Sequence, residues 1–284
     1  MVAYPFNRSR RIEFQGGVSQ ISFDQIVHTE AFSLRTGALI GQDTQEQSVG
    51  EALTMGTSAA ALVYDTSSFG ATSPVQGQRY RFEAAPTFGT VNFTSMLADY
   101  RRYFMPASFY TLAVRGMHYG RYGSGGEDTR LFPLFIGYPN LVRGYDVGTF
   151  ESRDCVATTA SSCPSFDRLI GSRVLVGNVE FRFPLLRPFG ASQRMYGPVP
   201  VEVAFFADGG IAWNGLKTTP TTANSTLFGS TTPHPFDTND GVASAGVSFR
   251  VNLFGFAVGE FAFSHPFQRP GHGMVFQFNL APGF

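Results

Sequence analysis

The residues of this chain that could do chemistry are few and far apart. His118, His234, His265 and His272 are dispersed, with none of the close spacing that holds a metal ion on one helix face. Asp208, followed by Gly209 and Gly210, would suit a catalytic loop, yet it closes the apolar segment VPVEVAFFADGG. No serine stands in the strand-to-helix turn that exposes a nucleophile. Cys155 and Cys163, with seven residues between them in a polar stretch, suit a small surface disulfide in an oxidising compartment; two free thiols are the alternative. What remains is a scatter of charges inside apolar segments: Glu180 in RVLVGNVEFRFPL, Arg250 in GVSFRVNLFG, and Arg143 in the Gly/Pro-bounded segment GYPNLVRGY. This inventory argues against an enzyme and implies no cofactor and no metal site.

The elements that carry these charges are unusual in composition. The chain has 284 residues, of which 32 are glycine and 30 phenylalanine, and its 21 basic residues balance its 21 acidic ones. A neutral chain has no field to draw nucleic acid or an acidic substrate. Arg8, Arg10 and Arg11 form a short basic cluster that reads as solvated strand-end residues. No apolar stretch approaches the roughly 20 residues of a spanning helix. The start, MVAYPFNRSRR, lacks the apolar core of a secretory signal.

Alternation at a period of two runs through the C-terminal half. In GMVFQFNLAPGF, Phe276, Phe278, Leu280 and Phe284 share one face of an extended segment, while Gln277 and Asn279 take the other. The same parity sets Val179, Phe181 and Phe183 against Asn178, Glu180 and Arg182, and Val203, Phe205 and Ala207 against Glu202, Phe206 and Asp208. Val247, Phe249 and Val251 oppose Ser248, Arg250 and Asn252, and Phe261 and Phe263 oppose Glu260 and Ser264. Burying such charges in a dry sandwich core is costly unless each is paired, whereas a polar interior with lipid outside accommodates both faces. Further strands are expected over residues 9–22, 29–40, 57–68, 76–88, 91–104 and 108–119, about eleven in all. Two long polar excursions, 120–168 and 214–241, contrast with short turns elsewhere. The pattern predicts an all-β protein: a transmembrane antiparallel β-barrel, closed so that no strand edge is left bare in hydrocarbon.

The segment GYPNLVRGY resembles the conserved loop motif of the BamA/TamA-like outer-membrane assembly superfamily, the bacterial surface antigen family. In that family the loop folds back into the barrel between the eleventh and twelfth of sixteen strands. VGNVEFRFPL and VEVAFFADGGIAW are similar to the two strands that follow it. The resemblance implies that Arg143, within the motif Val142, Gly144 and Tyr145, contacts the inner-wall carboxylates Glu180 and Asp208. Strand parity independently puts both carboxylates on the polar face. Tyr145 stands where the family often has phenylalanine, which keeps the ring and adds a hydroxyl. Phe276, Phe278, Leu280 and the terminal Phe284 resemble the family's C-terminal insertion signal. The implied fold is about the last eleven strands of a sixteen-strand barrel over residues 1–284, without the N-terminal strands and any periplasmic domain.

The resemblance implies a bacterial outer-membrane location and a part in assembly, insertion or translocation of outer-membrane or surface proteins. The expected partners are outer-membrane lipid, client outer-membrane proteins and periplasmic assembly factors, and no nucleic acid. Two alternatives stand beside this reading. One is a passive porin, which needs no arginine loop motif, or an export pore for a fused passenger. The other is a soluble β-sandwich binding module, which would explain the strands and aromatics but not the recurrent polar face or the terminal aromatic.

Overall fold

Period-two alternation is satisfied by pleated backbone, and the chain uses it almost throughout. The computed structural model describes residues 1–151, 154–155, 163–185, 200–215, 236–269 and 271–282. Its strands are β1 (Val2–Pro5), β2 (Arg10–Phe32), β3 (Leu39–Asp65), β4 (Ser68–Phe69), β5 (Pro74–Gly89), β6 (Phe93–Ala107) and β7 (Tyr110–Tyr122). After a long connection come β8 (Leu134–Phe135), β9 (Ile170–Gly171), β10 (Arg173–Pro184), β11 (Val201–Trp213), β12 (Val242–Leu253), β13 (Ala257–Pro266) and β14 (Val275–Pro282). The main sheet is an antiparallel meander in the order β1-β2-β3-β5-β6-β7-β10-β11-β12-β13-β14, with β4 paired to β5 and β8 paired to β9 apart from it. Tight turns make neighbours of consecutive strands. At the β5–β6 turn Gly89 has φ 137°, and a Cβ there would lie 2.2 Å from the Thr54 carbonyl oxygen, so only glycine fits.

Register turns the alternation into two opposed surfaces. Leu112, Phe181, Phe205, Val247, Phe263 and Phe276 are direct cross-strand partners from β7 to β14. The phenylalanines of this row are exposed on the outside of the sheet. An odd number of residues along each strand from that row, Glu180, Glu202, Asp208, Ser248 and Ser264 are buried on the inside. A contiguous exposed aromatic row is rare on soluble monomers. Among the described residues the one other sheet is the two-stranded β8–β9 pair.

Closure is where the sequence reading is corrected. A barrel requires its first and last strands to pair, and among the described residues β1 and β14 are the two ends of the order, each bonded to one neighbour. The expected closed transmembrane barrel is therefore replaced by a single open sheet. Side-chain parity tells which face a residue takes, but closure depends on whether two edge backbones meet, which parity does not encode. The open sheet is nevertheless strongly curled. β5 and β12 stand five places apart in the strand order, which would separate them by about 24 Å in a flat sheet. Yet Asn252 on β12 donates a hydrogen bond to the carbonyl of Ala71, just before β5.

A second correction concerns the N-terminal third. The strand expected over residues 29–40 does not exist; that stretch is the end of β2, a turn and the start of β3. β2 and β3 pair from Arg10/Tyr64 to Phe32/Leu39, but β5 supports β3 only from Met55 onward. Phe23, Leu53 and Met55 pack on Val91 at the base of this stretch, and beyond them residues 39–48 and their partners project as a two-stranded ribbon on the order of 30 Å long. The polar residues here obscure the alternation, and mutual backbone pairing rather than a buried face keeps the strands extended.

The largest apolar core lies between the long connection after β7 and the inner face of the sheet. Ile136, Val142, Tyr145 and Leu169 from the connection pack on Met117, Val174, Val176, Ala212 and Val242 from the strands. That packing brings Arg143 to its partners.

Candidate functional site

The site is built by laying the segment 136–145 flat against the inner wall. Two glycines permit the approach. Gly144 has φ 89°, and a Cβ on it would come within 2.9 Å of the Ser264 hydroxyl on β13. On the wall, a Cβ at Gly210 would come within 2.9 Å of Val142 Cγ2. The missing side chain at Gly210 leaves the space that Val142 fills, and Val142 and Tyr145 are both fully buried.

Between those apolar contacts the Arg143 side chain enters a group of carboxylates. Its Nε and Nη2 donate to the two oxygens of Asp208 at 2.7 and 2.8 Å, the bidentate geometry a planar guanidinium favours. The Arg143 backbone N–H also donates to Asp208, at 3.2 Å. Nη2 lies 2.7 Å from Glu180, and Nη1 donates to Glu260 at 3.3 Å. The guanidinium carbon sits 3.5 Å from the centre of the Phe206 ring, an attractive cation–π placement away from water. Arg143 is 5% exposed and Asp208 3%, so each depends on the other for compensation. Asn178 donates to both Asp208 (2.8 Å) and the Leu141 carbonyl (2.6 Å), tying the acceptor to the loop that brings the donor.

The network continues along the wall. Glu202, Arg250 and Glu260 are cross-strand neighbours on β11, β12 and β13. Arg250 lies 3.0 Å from both Glu180 and Glu260 and 3.7 Å from Glu202. Arg182 lies 2.6 Å from Glu180. Three arginines are thus interleaved with four carboxylates, none of them solvated enough to stand alone. Beside them is a cavity of about 190 Å³, lined also by Arg101 and Arg115 from the adjoining strands β6 and β7, both bound to Asp99.

A second clamp holds the far end of the same loop. Arg269, in the β13–β14 connection, is 1% exposed. It donates to the Gly144 carbonyl (2.7 Å), to the Thr149 carbonyl (2.6 Å) and hydroxyl (2.8 Å), and to Asp154 (2.8 Å). Burial pushes the Asp154 carboxyl upward, but the Arg269 hydrogen bond, the Glu151 N–H and the nearby charges of Arg269 and His272 hold it below its ordinary value. Tyr145 adds its hydroxyl to the Ala243 carbonyl (2.9 Å) and Gln268 (2.8 Å), bonds that a phenylalanine there could not make. Gly144 N–H donates to Gln277 of β14 at 2.7 Å, so the motif touches β11, β13 and β14 together.

Of the residues singled out in the sequence, Arg143, Glu180 and Asp208 are brought together, and Val142, Gly144 and Tyr145 line the same contact. Cys155 and Cys163 are joined by a disulfide with Cα atoms 4.3 Å apart, next to the Asp154 clamp. Phe276, Phe278 and Leu280 are all more than half exposed on the outer face of β14. Phe284 lies outside the described residues. Arg11 of the basic cluster is engaged with Glu13 at 2.6 Å. The sequence reading missed Glu260 and Phe206 as partners of Arg143, although parity had put both on the inner face. It also missed Arg269 and Asp154, for which no periodic signal exists. Among the described residues no group of His, Cys, Asp and Glu is disposed to hold a metal ion.

Residues 2–284 match the family model of the Omp85 superfamily domain. Among solved structures, BamA from Haemophilus ducreyi lacking POTRA domains 1-3 is similar, with a TM-score of 0.62 at 14% identity. The match covers 98% of this chain and 52% of that one, so the chain spans about half the length of that structure. At such identity the likeness is one of fold. No curated protein matches the chain.

Proposed function

Because this chain belongs to the Omp85 superfamily, we propose that it works in the outer membrane in the assembly, insertion or translocation of outer-membrane or surface proteins, with Arg143 anchoring the long loop on the inner wall. The superfamily's members are non-catalytic assembly factors, and the chain is not an enzyme. The observation that carries the proposal is the convergence of Asp208, Glu180 and Glu260 on one buried loop arginine. A loop gripped by three separate strands keeps those strands in fixed relation. Desolvating so many charges has a cost that a passive scaffold need not bear.

In this reading the outer aromatic row meets lipid, and lipid is the first partner. Client strands are the second. β14 pairs only with β13 among the described residues, so its other edge offers backbone donors and acceptors to an extended client segment. The apolar face of β14, with Phe276, Phe278 and Leu280, lies on the lipid side of that edge. A passive porin is the rival role, and a loop fixed across the inner face works against free diffusion.

Depleting the protein in its native host tests the proposal. Folded outer-membrane or surface proteins should fall while small-solute permeability of the membrane stays level. Unchanged levels of those proteins together with reduced solute uptake would overturn it in favour of the porin.

A further inference from the structure

The loop that carries Arg143 enters the curled sheet from the end where β7 finishes and β10 begins. At the other end, where β3 gives way to β5, the short segment Gly70–Pro74 also leaves the wall and reaches the inner face opposite. Thr72 and Ser73 are 4% and 5% exposed, in contrast to Ser68 and Phe69 just before them, which are exposed. The Ser73 hydroxyl donates to Glu202 on β11, at 2.7 and 3.0 Å to its two oxygens. Arg182 on β10 donates to the Ser73 hydroxyl and to the Pro74 carbonyl, both at 3.2 Å. Asn252 on β12 donates to the Ala71 carbonyl. Three consecutive strands of the far wall therefore hold one five-residue segment, and every contact spans more than 100 residues of sequence.

We infer that Gly70–Pro74 is a second strap across the inner face, coupled to the Arg143 loop through Glu180 and Arg250, so that releasing either one loosens the other. The geometry supplies the link. Arg182 holds the strap with Nη1 and Glu180 with Nε. Glu202, which accepts from Ser73, faces Arg250. Arg250 shares Glu180 and Glu260 with Arg143. Strap and loop are thus joined through Glu180, which binds both Arg182 and Arg143, and through Arg250, which bridges Glu202 to Glu180 and Glu260. Removing a cation at one end leaves a buried carboxylate short of a partner, and the remaining arginines must turn toward it and away from the other end. Linkage makes the effect reciprocal. The two straps close the inner face from both ends, and opening it takes the release of both. The inference adds a second element to the proposed loop anchor and depends on that reading only for the coupling.

The chain's two cysteines are paired, so an introduced cysteine is its one free thiol. Two reporters in the lipid-reconstituted protein, Thr72→Cys in the strap and Val142→Cys in the loop, are labelled with a hydrophilic maleimide, and the rates are compared. Both should react slowly in the parent. Glu202→Gln should speed Thr72→Cys labelling about tenfold, because strap opening becomes less costly. Arg250→Ala should speed both reporters. Should that variant fail to fold, Arg250→Lys, which keeps the charge but loses the fork, replaces it. Arg143→Ala should speed Val142→Cys and also raise Thr72→Cys labelling at least about threefold. Fast labelling of Thr72→Cys in the parent, or no response to Glu202→Gln, would overturn the strap. Thr72→Cys unmoved by Arg143→Ala and by the Arg250 variant, with Val142→Cys accelerated, would overturn the coupling and leave the loop anchor intact. Val142→Cys unmoved by Arg143→Ala would refute the loop anchor itself and the coupling with it.

Discussion

The two halves of the sheet use the same backbone pairing to different ends. In β10, buried and exposed residues alternate along the strand, and the buried set is largely claimed by the loop, the ion network or the strap. In β2, 23 residues long, almost every side chain is exposed on both faces. The difference shows that strand formation and site formation have separate causes. Hydrogen bonding between neighbours is enough to extend a ribbon. Fixing a charged site requires something folded over it, and the Arg143 network has that where residues 136–151 and 70–74 return across the inner face. Stability should therefore be concentrated in the β7–β14 half, with the projecting ribbon near the low end of local stability.

That contrast can be broken most directly at Arg143. Arg143→Ala strands Asp208 and Glu180 in a buried site and should destabilise the folded protein by about 3–5 kcal/mol. The heat-dependent shift of the compact band in lipid would register this, as would faster proteolysis within residues 123–151. If the shift is no larger than that of a ribbon substitution, the contrast between the halves is wrong. Glu260→Gln should cost less, about 1–2 kcal/mol, because its contact with Arg143 is the longest of the three and Glu260 is the most exposed of the carboxylates. The same melting measurement checks the order.

Acid should sharpen the comparison at the loop's far end. Asp154 is held below the ordinary carboxylate value, so its pairing with Arg269 contributes fully above that value, roughly pH 4, and is lost as pH falls below it toward the folded pKa. Proteolysis of the loop by an acid-active protease should accelerate over that interval, with the ribbon's cleavage rate serving as the reference. Asp154→Asn should be cleaved faster at neutral pH and show a flatter dependence; an unchanged dependence would mean another carboxylate governs the loop. The smallest effect is expected in the ribbon. Val27→Thr, at an exposed site paired with Gln45, should change stability by no more than about 0.5 kcal/mol. A larger loss would show that the ribbon is covered in the folded protein.

The parts legible in the sequence were those governed by local period. Alternation in RVLVGNVEFRFPL and VEVAFFADGG put Glu180 and Asp208 on one face and Phe181 and Phe205 on the other, and register then joined those rows across strands. The family motif added Arg143, at a sequence distance of 65 residues from Asp208, which no local rule could have bridged. The ribbon was misread because DQIVHTEAFSLRTGALIGQDTQEQ mixes polar residues onto both faces, so the strand ends and the turn between them gave no contrast.

By itself, then, the sequence determined strand identity in the C-terminal half, the polarity of each face there and the charges that would need partners, since all three follow from the pleat repeating every two residues. Only the tertiary structure decided that the sheet stays open, that Glu260 and Phe206 join the grip on Arg143, that Arg269 finds Asp154, and that Ala71 meets Asn252 across 181 residues. Those outcomes depend on how far the sheet curls and which segments fold back over it. Curl is the sum of small twists over many strand pairs, a property no single stretch of sequence carries.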